Sequence, residues 1–167
     1  MEKEMYDNPL SDLFLTKQCL TELFCNTEDI ARLAPCCFDT PYIEGAISDN
    51  GCAIFVDTNV MKVSQRMKQV GINIFIVCPK ESIQLSVEDA DYYQSMGIYG
   101  NRVDSAIQAI SSVLHNPAII EEMKKKYFIG DLTFAENEPV KDFSPDSPFY
   151  GKCMSYTYQS FYQRKKL

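Results

Sequence analysis

Hydrophobic positions near the start of the chain recur at helical spacing. Leu13, Leu20 and Phe24, with Lys17 on the same line and Leu10, Phe14 and Leu23 beside them, trace one stripe that Asn8-Pro9 can open as cap and first residue. Thr27 followed by Glu28 and Asp29 predicts a second, short helix that stops near Ala34-Pro35. A loop from Pro35 to Gly51 follows. The pattern then changes period. Gly51 to Val56 and Val70 to Cys78 are rich in Val, Ile and Phe, with Ile72, Ile74 and Ile76 alternating with their neighbours, and both predict strands. Asp57 to Gln69 lacks a helical stripe, so the two strands extend toward each other around a turn as an antiparallel hairpin.

An acidic loop over Glu88 to Asp91 leads to Gly97-Ile98-Tyr99-Gly100 and then to the most periodic segment of the chain. Val103, Ala106, Ile107, Ile110, Val113 and Leu114 repeat at three and four residues until His115-Asn116-Pro117 halts them, which predicts a long helix lying across the sheet. Pro117 to Lys126 predicts a shorter helix with Ile120 and Met123 inward. Tyr127 to Ala135 and Phe149 to Tyr158 predict two further strands, joined by the proline-rich loop Glu136 to Pro148. The expected fold is α+β: an antiparallel or mixed sheet of about four or more strands, with one long helix and shorter N-terminal helices packed on one face. The 167 residues make one domain, with an extended N-terminus over 1–8 and a C-terminal tail over 159–167.

Composition narrows the function more than the fold. A 46% apolar and 23% charged chain is ordinary for a globular domain, and its longest apolar runs are strand-sized, so no membrane partner is expected. Met1-Glu2-Lys3-Glu4 is charged and precedes no long apolar stretch, which predicts a chain that stays where it is made. The seven cysteines are then expected to be reduced and to serve as small core residues. There is no C-x-x-C, and the single histidine is remote, so no metal is expected. A net charge of −7 argues against a general affinity for nucleic acid, and the clusters Lys124-Lys125-Lys126 and Arg164-Lys165-Lys166 read as a helix end and a solvated terminus.

Catalytic motifs are few. Val56-Asp57-Thr58-Asn59-Val60 superficially resembles the opening of PIN-domain nucleases, whose first acid ends an apolar strand and shares a divalent metal with other acids. The later acids fall in a loop and no patterned helix follows, so Asp57 is expected to serve a strand-end turn. A metal-dependent nuclease centred on Asp57 is the alternative, beside a non-viral adaptor domain. His115 is expected to cap a helix rather than serve as a base, and no phosphate-binding glycine pattern or cofactor site is present. No enzyme, cofactor or small-molecule substrate is expected. Ten tyrosines and ten phenylalanines remain, gathered in part on the last strand as Tyr150, Tyr156, Tyr158, Phe161 and Tyr162. Tyrosine joins a broad apolar body to a polar tip, a combination suited to contacts with another chain.

The segments Gly97-Ile98-Tyr99-Gly100-Asn101-Arg102-Val103-Asp104, Ile129-Gly130-Asp131-Leu132-Thr133 and Phe149-Tyr150-Gly151-Lys152 resemble neck proteins of tailed bacteriophages. These are the head-to-tail connector, head-completion and tail-terminator-like proteins. The opening Asn8 to Phe14 is similar in style to their first helix. The resemblance implies a structural virion protein made in the host bacterial cytoplasm. It would form part of a ring, commonly six- or twelvefold, that joins portal to tail and lets DNA pass. Its partners would be copies of itself and the portal, connector and tail proteins. Arg102 and Asp104 become candidate subunit-contact residues together with the aromatic set. The aromatic, basic C-terminus and the Cys36-Cys37 loop depart from the pattern.

Overall fold

The computed structural model describes residues 11–40, 52–64, 67–127, 130–143 and 148–161. Within them the chain is α+β, with helices packed on one face of a mixed six-stranded sheet. Helices α1 (Ser11–Asn26) and α2 (Glu28–Leu33) precede the three-residue strand β1 (Cys36–Phe38). The hairpin strands β2 (Ala53–Val63) and β3 (Met67–Pro79) come next. Helices α3 (Val87–Ser95), α4 (Arg102–Leu114) and α5 (Pro117–Tyr127) follow, and then the strands β4 (Thr133–Phe134), β5 (Val140–Phe143) and β6 (Phe149–Phe161).

The strand order is β1-β2-β3-β6-β4, and β5 also pairs with β6. Only β1 runs parallel to its neighbour β2; the remaining pairings are antiparallel. The predicted hairpin is present: β2 and β3 pair from Ala53–Val77 out to Val63–Lys68, with a register irregularity between Val60 and Lys62. Ser64 closes the turn side by donating from both its amide and its hydroxyl to the Met67 carbonyl. Along β3, thirteen consecutive residues pair with β6, so β3 is the axis of the sheet.

Alternation explains the layers. Ile54 and Val56 on β2, Ile72, Ile74 and Ile76 on β3, and Met154, Tyr156 and Tyr158 on β6 are buried under the helices. From above, α1 contributes Cys19, Leu20 and Phe24, α2 Ile30 and Leu33, and α4 Val103, Ala106, Ile110 and Leu114. Met123 of α5 is also buried and Ile120 packs at the margin, as their spacing predicts. Burial of one such Ile or Leu side chain stabilises the fold by about 1.5–3 kcal/mol. On the opposite face a smaller cluster centres on Phe55, where Phe38 stacks on it at 5.2 Å, and on Phe75, which meets Phe143 at 4.9 Å.

Several expectations change. The most periodic helix is not the longest: α4 has 13 residues and α1 has 16, because a helix that starts and ends in polar residues can still bury a central stripe. Phe14 does not join that stripe and is 65% exposed, whereas Thr16 is buried and exchanges a 2.6 Å hydrogen bond with the Tyr158 hydroxyl. The acidic loop at Glu88 is the first turn of α3. The strand expected over Tyr127 to Ala135 shrinks to Thr133–Phe134, since Tyr127 still belongs to α5. Two loops contain the short strands β1 and β5, and β6 runs on through Gln159 to Phe161, so the tail expected from 159 starts inside the sheet. The helix opening at Asn8-Pro9, the N-terminal extension over 1–8 and the cluster Arg164-Lys165-Lys166 lie outside the described residues.

Candidate functional site

The start of α4 is built from its own sequence. Gly97 and Gly100 have φ of +78° and +104°, the left-handed region that glycine enters without cost, and the second turns the chain directly into the helix. A Cβ on Gly100 would lie 2.8 Å from the Asp104 Cβ. Asn101 then caps the helix by accepting from the Asp104 amide at 2.9 Å. Asp104 sits where a carboxylate favours the helix dipole, and it also holds the Lys152 ammonium of β6 at 2.8 Å. That hydrogen bond raises the Lys152 pKa above its ordinary value. Arg102 points the other way: its Nε donates to the Ser82 carbonyl at 2.9 Å and its amide to the Ile83 carbonyl at 2.8 Å. The two residues are therefore occupied within the chain, Asp104 fastening α4 to β6 and Arg102 fastening it to the turn after β3.

The aromatic residues of β6 divide by face. Tyr156 is 1% exposed, stacks on Phe134 at 4.7 Å with an interplanar angle of 21°, and has the His115 ring 5.8 Å away. Burial pushes its phenol up to about 12. Tyr158 is 2% exposed and is tied to Thr16. These two candidates thus pack the interior of their own chain, which follows from their shared parity with Met154, and offer no side chain to a neighbour. Tyr150 is half-buried beside the core. The Phe161 side chain and all of Tyr162 lie outside the described residues.

Asp57 is not at a strand end. It lies within β2 opposite Asn73, and its carboxylate is paired with Lys17 of α1 at 3.2 Å. Asn73 accepts in turn from the Ser155 hydroxyl at 2.8 Å, so this row across β2, β3 and β6 is a polar network joined by a cation rather than a set of acids. Among the described residues no three His, Cys, Asp or Glu side chains converge to hold a metal ion. His115 ends α4 as expected, its amide donating to the Ser111 carbonyl at 3.0 Å. Asp89 is engaged by Arg32, whose guanidinium also lies 4.7 Å from the centre of the Tyr92 ring, and this joins α2 to α3. No described helix is long and apolar enough to cross a membrane.

The surface that the aromatic count did not reveal lies at the hairpin. The Thr58 hydroxyl donates to the Leu13 carbonyl at 3.1 Å and Lys17 reaches Asp57, so the first turns of α1 run beside the outer half of β2. At that end Phe14 is 65% exposed, Val63 67%, Met61 51% and Leu15 39%. Beyond Phe55, β2 has no strand on its outer side among the described residues, since β1 pairs only with Ala53, Ile54 and Phe55. Exposed apolar side chains on an open strand edge suit contact with another chain. The sequence signal was the apolar pair Met61 and Val63 on the polar half of an alternating strand.

The family model described as YomW matches residues 7–158, a span that includes every helix and all strands but the last three residues of β6. No curated protein matches the chain.

Proposed function

The chain belongs to the YomW family, which is phage-derived, and from this premise we propose that it is a structural virion protein of the head-tail connector. In this role it joins portal and tail through contacts with copies of itself and with its neighbours, and DNA passes through the ring it helps to form. The phage-derived family match over 7–158 carries the proposal. Three further observations support it. Three segments, one of them opening α4, resemble neck proteins. The apolar side chains of Phe14, Met61 and Val63 stand exposed beside the half of β2 that has no outer partner strand among the described residues, where a neighbouring subunit would cover them. Finally, a net charge of −7 lets a duplex slide past without adhering, since like charges repel.

The chain works in the virion after synthesis in the host cytoplasm, and it catalyses no reaction. Deleting its gene from the phage that encodes it, then imaging the lysate by electron microscopy, tests the role. The expected result is filled heads and tails that fail to join, with infectivity restored by supplying the protein in trans. Normal, infectious particles from the deletion strain would refute it, as would intact wild-type virions in which peptide mass spectrometry finds no trace of the chain.

A further inference from the structure

The helices cover one face of the sheet, and strand positions of the other parity turn away from them. At one end of that second face Phe38, Phe75, Phe143 and Phe149 are half-buried around the fully buried Phe55, a cluster to which no helical residue belongs. Toward the hairpin turn the same face continues through Asn59, Asn73, Ser155 and Thr157, which register sets in one block across β2, β3 and β6. The Ser155 hydroxyl donates to the Asn73 side-chain carbonyl at 2.8 Å, and the Thr133 and Thr157 hydroxyls lie 3.2 Å apart, so these side chains share a side. Met61 joins the face at its margin: its sulfur lies 3.0 Å from where a Cβ on Gly71 would stand.

Charge sets this face apart. Along its strands the charged side chains are Asp57, Lys62, which stands opposite Gln69, and Lys141, which stands opposite Cys153. Asp57 is already paired with Lys17. By contrast, α2 and α3 alone carry Glu28, Asp29, Glu88, Asp89 and Asp91. We propose that the face turned away from the helices is a contact between two copies of this chain, related by a two-fold axis and packed sheet against sheet. Three properties select a second copy as the occupant. Chains of net charge −7 repel, and they approach best through a face whose one strand carboxylate is neutralised and whose two lysines are in excess. A two-fold contact sets a patch against itself, so its polar groups must both donate and accept; Asn, Ser and Thr do both, whereas an ammonium only donates and a carboxylate only accepts. The third property is area. Strands β2, β3 and β6 have 11, 13 and 13 residues. With the short strands at their flanks they span roughly 700 Å², close to the ~800 Å² per partner of a stable specific interface. Aromatic rings beside few charges also match the make-up of interface cores. This pairing stands whether or not the chain serves in the virion.

Sedimentation velocity on the full-length protein over a range of concentrations tests it. The expected result is a reversible equilibrium between the 19.1 kDa chain and a species of twice that mass. Thr157→Glu combined with Lys141→Glu places acids on β6 and β5, across the sheet from Phe14 and Val63, and should weaken pairing at least tenfold. Gln94→Glu combined with Lys125→Glu makes the same change of charge at exposed helical positions and should leave pairing unaltered. Circular dichroism checks that each variant folds. If the face variant does not fold, amine cross-linking of mixed light and heavy isotope-labelled wild type decides, with links between copies expected at Lys62 and Lys141. A monomer at every concentration would overturn the proposal. So would an assembly of odd order, association that the face variant retains, or links between copies confined to helical lysines.

Discussion

Two buried tyrosines of the same strand, Tyr156 and Tyr158, make different demands on the core, and the difference can be measured. The Tyr158 hydroxyl exchanges a 2.6 Å hydrogen bond with the buried Thr16. Tyr158→Phe should cost about 1 kcal/mol by denaturant unfolding, the usual loss for one hydrogen bond. The Tyr156 hydroxyl is buried without a well-formed hydrogen bond, the Ser111 side chain being its one polar influence, so Tyr156→Phe should cost less than Tyr158→Phe. Equal losses in the two variants would contradict this assignment. The phenols also set an alkaline limit. Burial holds Tyr156 up to about 12, and burial with the nearby Asp29 carboxylate holds Tyr93 there as well. In the unfolded chain both ionise near 10. The fold thus keeps protons that the unfolded chain releases; its stability is intact below pH 10 and is lost progressively from about 10 to 12. A tyrosinate absorbance titration should show these two rings ionising last, or only as the protein unfolds, and Tyr93→Phe should make the alkaline loss shallower.

Elements differ in how strongly their own residues announce them. The α4 entry depends on Asn101 and Gly100, so Asn101→Ala should cost about 1 kcal/mol of stability, whereas Asn101→Gly should cost only a few tenths. Gly100→Ala should cost more than either, because it places a Cβ 2.8 Å from that of Asp104 at a φ of +104°. Thermal unfolding monitored by circular dichroism ranks all three. Helix α4 was legible because six apolar residues sit at helical spacing, and β2 and β3 because apolar residues alternate or run together. Helix α3 buries only Tyr93, too little for a hydrophobic stripe, yet Ser86 with Asp89 three residues on is a helix-start signal that could have found it. Strands β1 and β5, of three and four residues, exist by pairing with β2 and β6, and pairing partners are not written in a local pattern. The candidate contact residues were less legible. A count of aromatics carries no information about face; the signal that could have separated Tyr156 and Tyr158 from the contact candidates was their shared parity with Met154, and the structure buries both.

For the whole molecule, stability and association separate in space. The helix-covered face contains most of the buried apolar side chains, and the hairpin end holds Met61 and Val63, which are more than half exposed, with Met61 lying over Gly71 of β3. Substituting them should therefore leave folding nearly untouched while altering any contact made there. Exposed positions free of caps, turns and buried partners change stability by no more than about 0.5 kcal/mol. A lysine at both positions also places cations on the half of β2 that no described strand pairs on its outer side, the usual barrier to edge-to-edge pairing. The double variant M61K/V63K should accordingly unfold at the same denaturant concentration as wild type but lose self-association or docking by at least tenfold. Analytical ultracentrifugation or native mass spectrometry reads this, with the assembled neighbour added if the free protein is a monomer. Phe14→Ser, at the same end on α1, should weaken association in the same direction without a shift in unfolding. If these variants assemble as wild type does, the contact lies elsewhere on the molecule. If instead they destabilise the fold, Met61 and Val63 are held by their own chain. The double variant thus distinguishes a surface meant for another subunit from one that is merely apolar, because only the former couples an unchanged fold to a lost assembly.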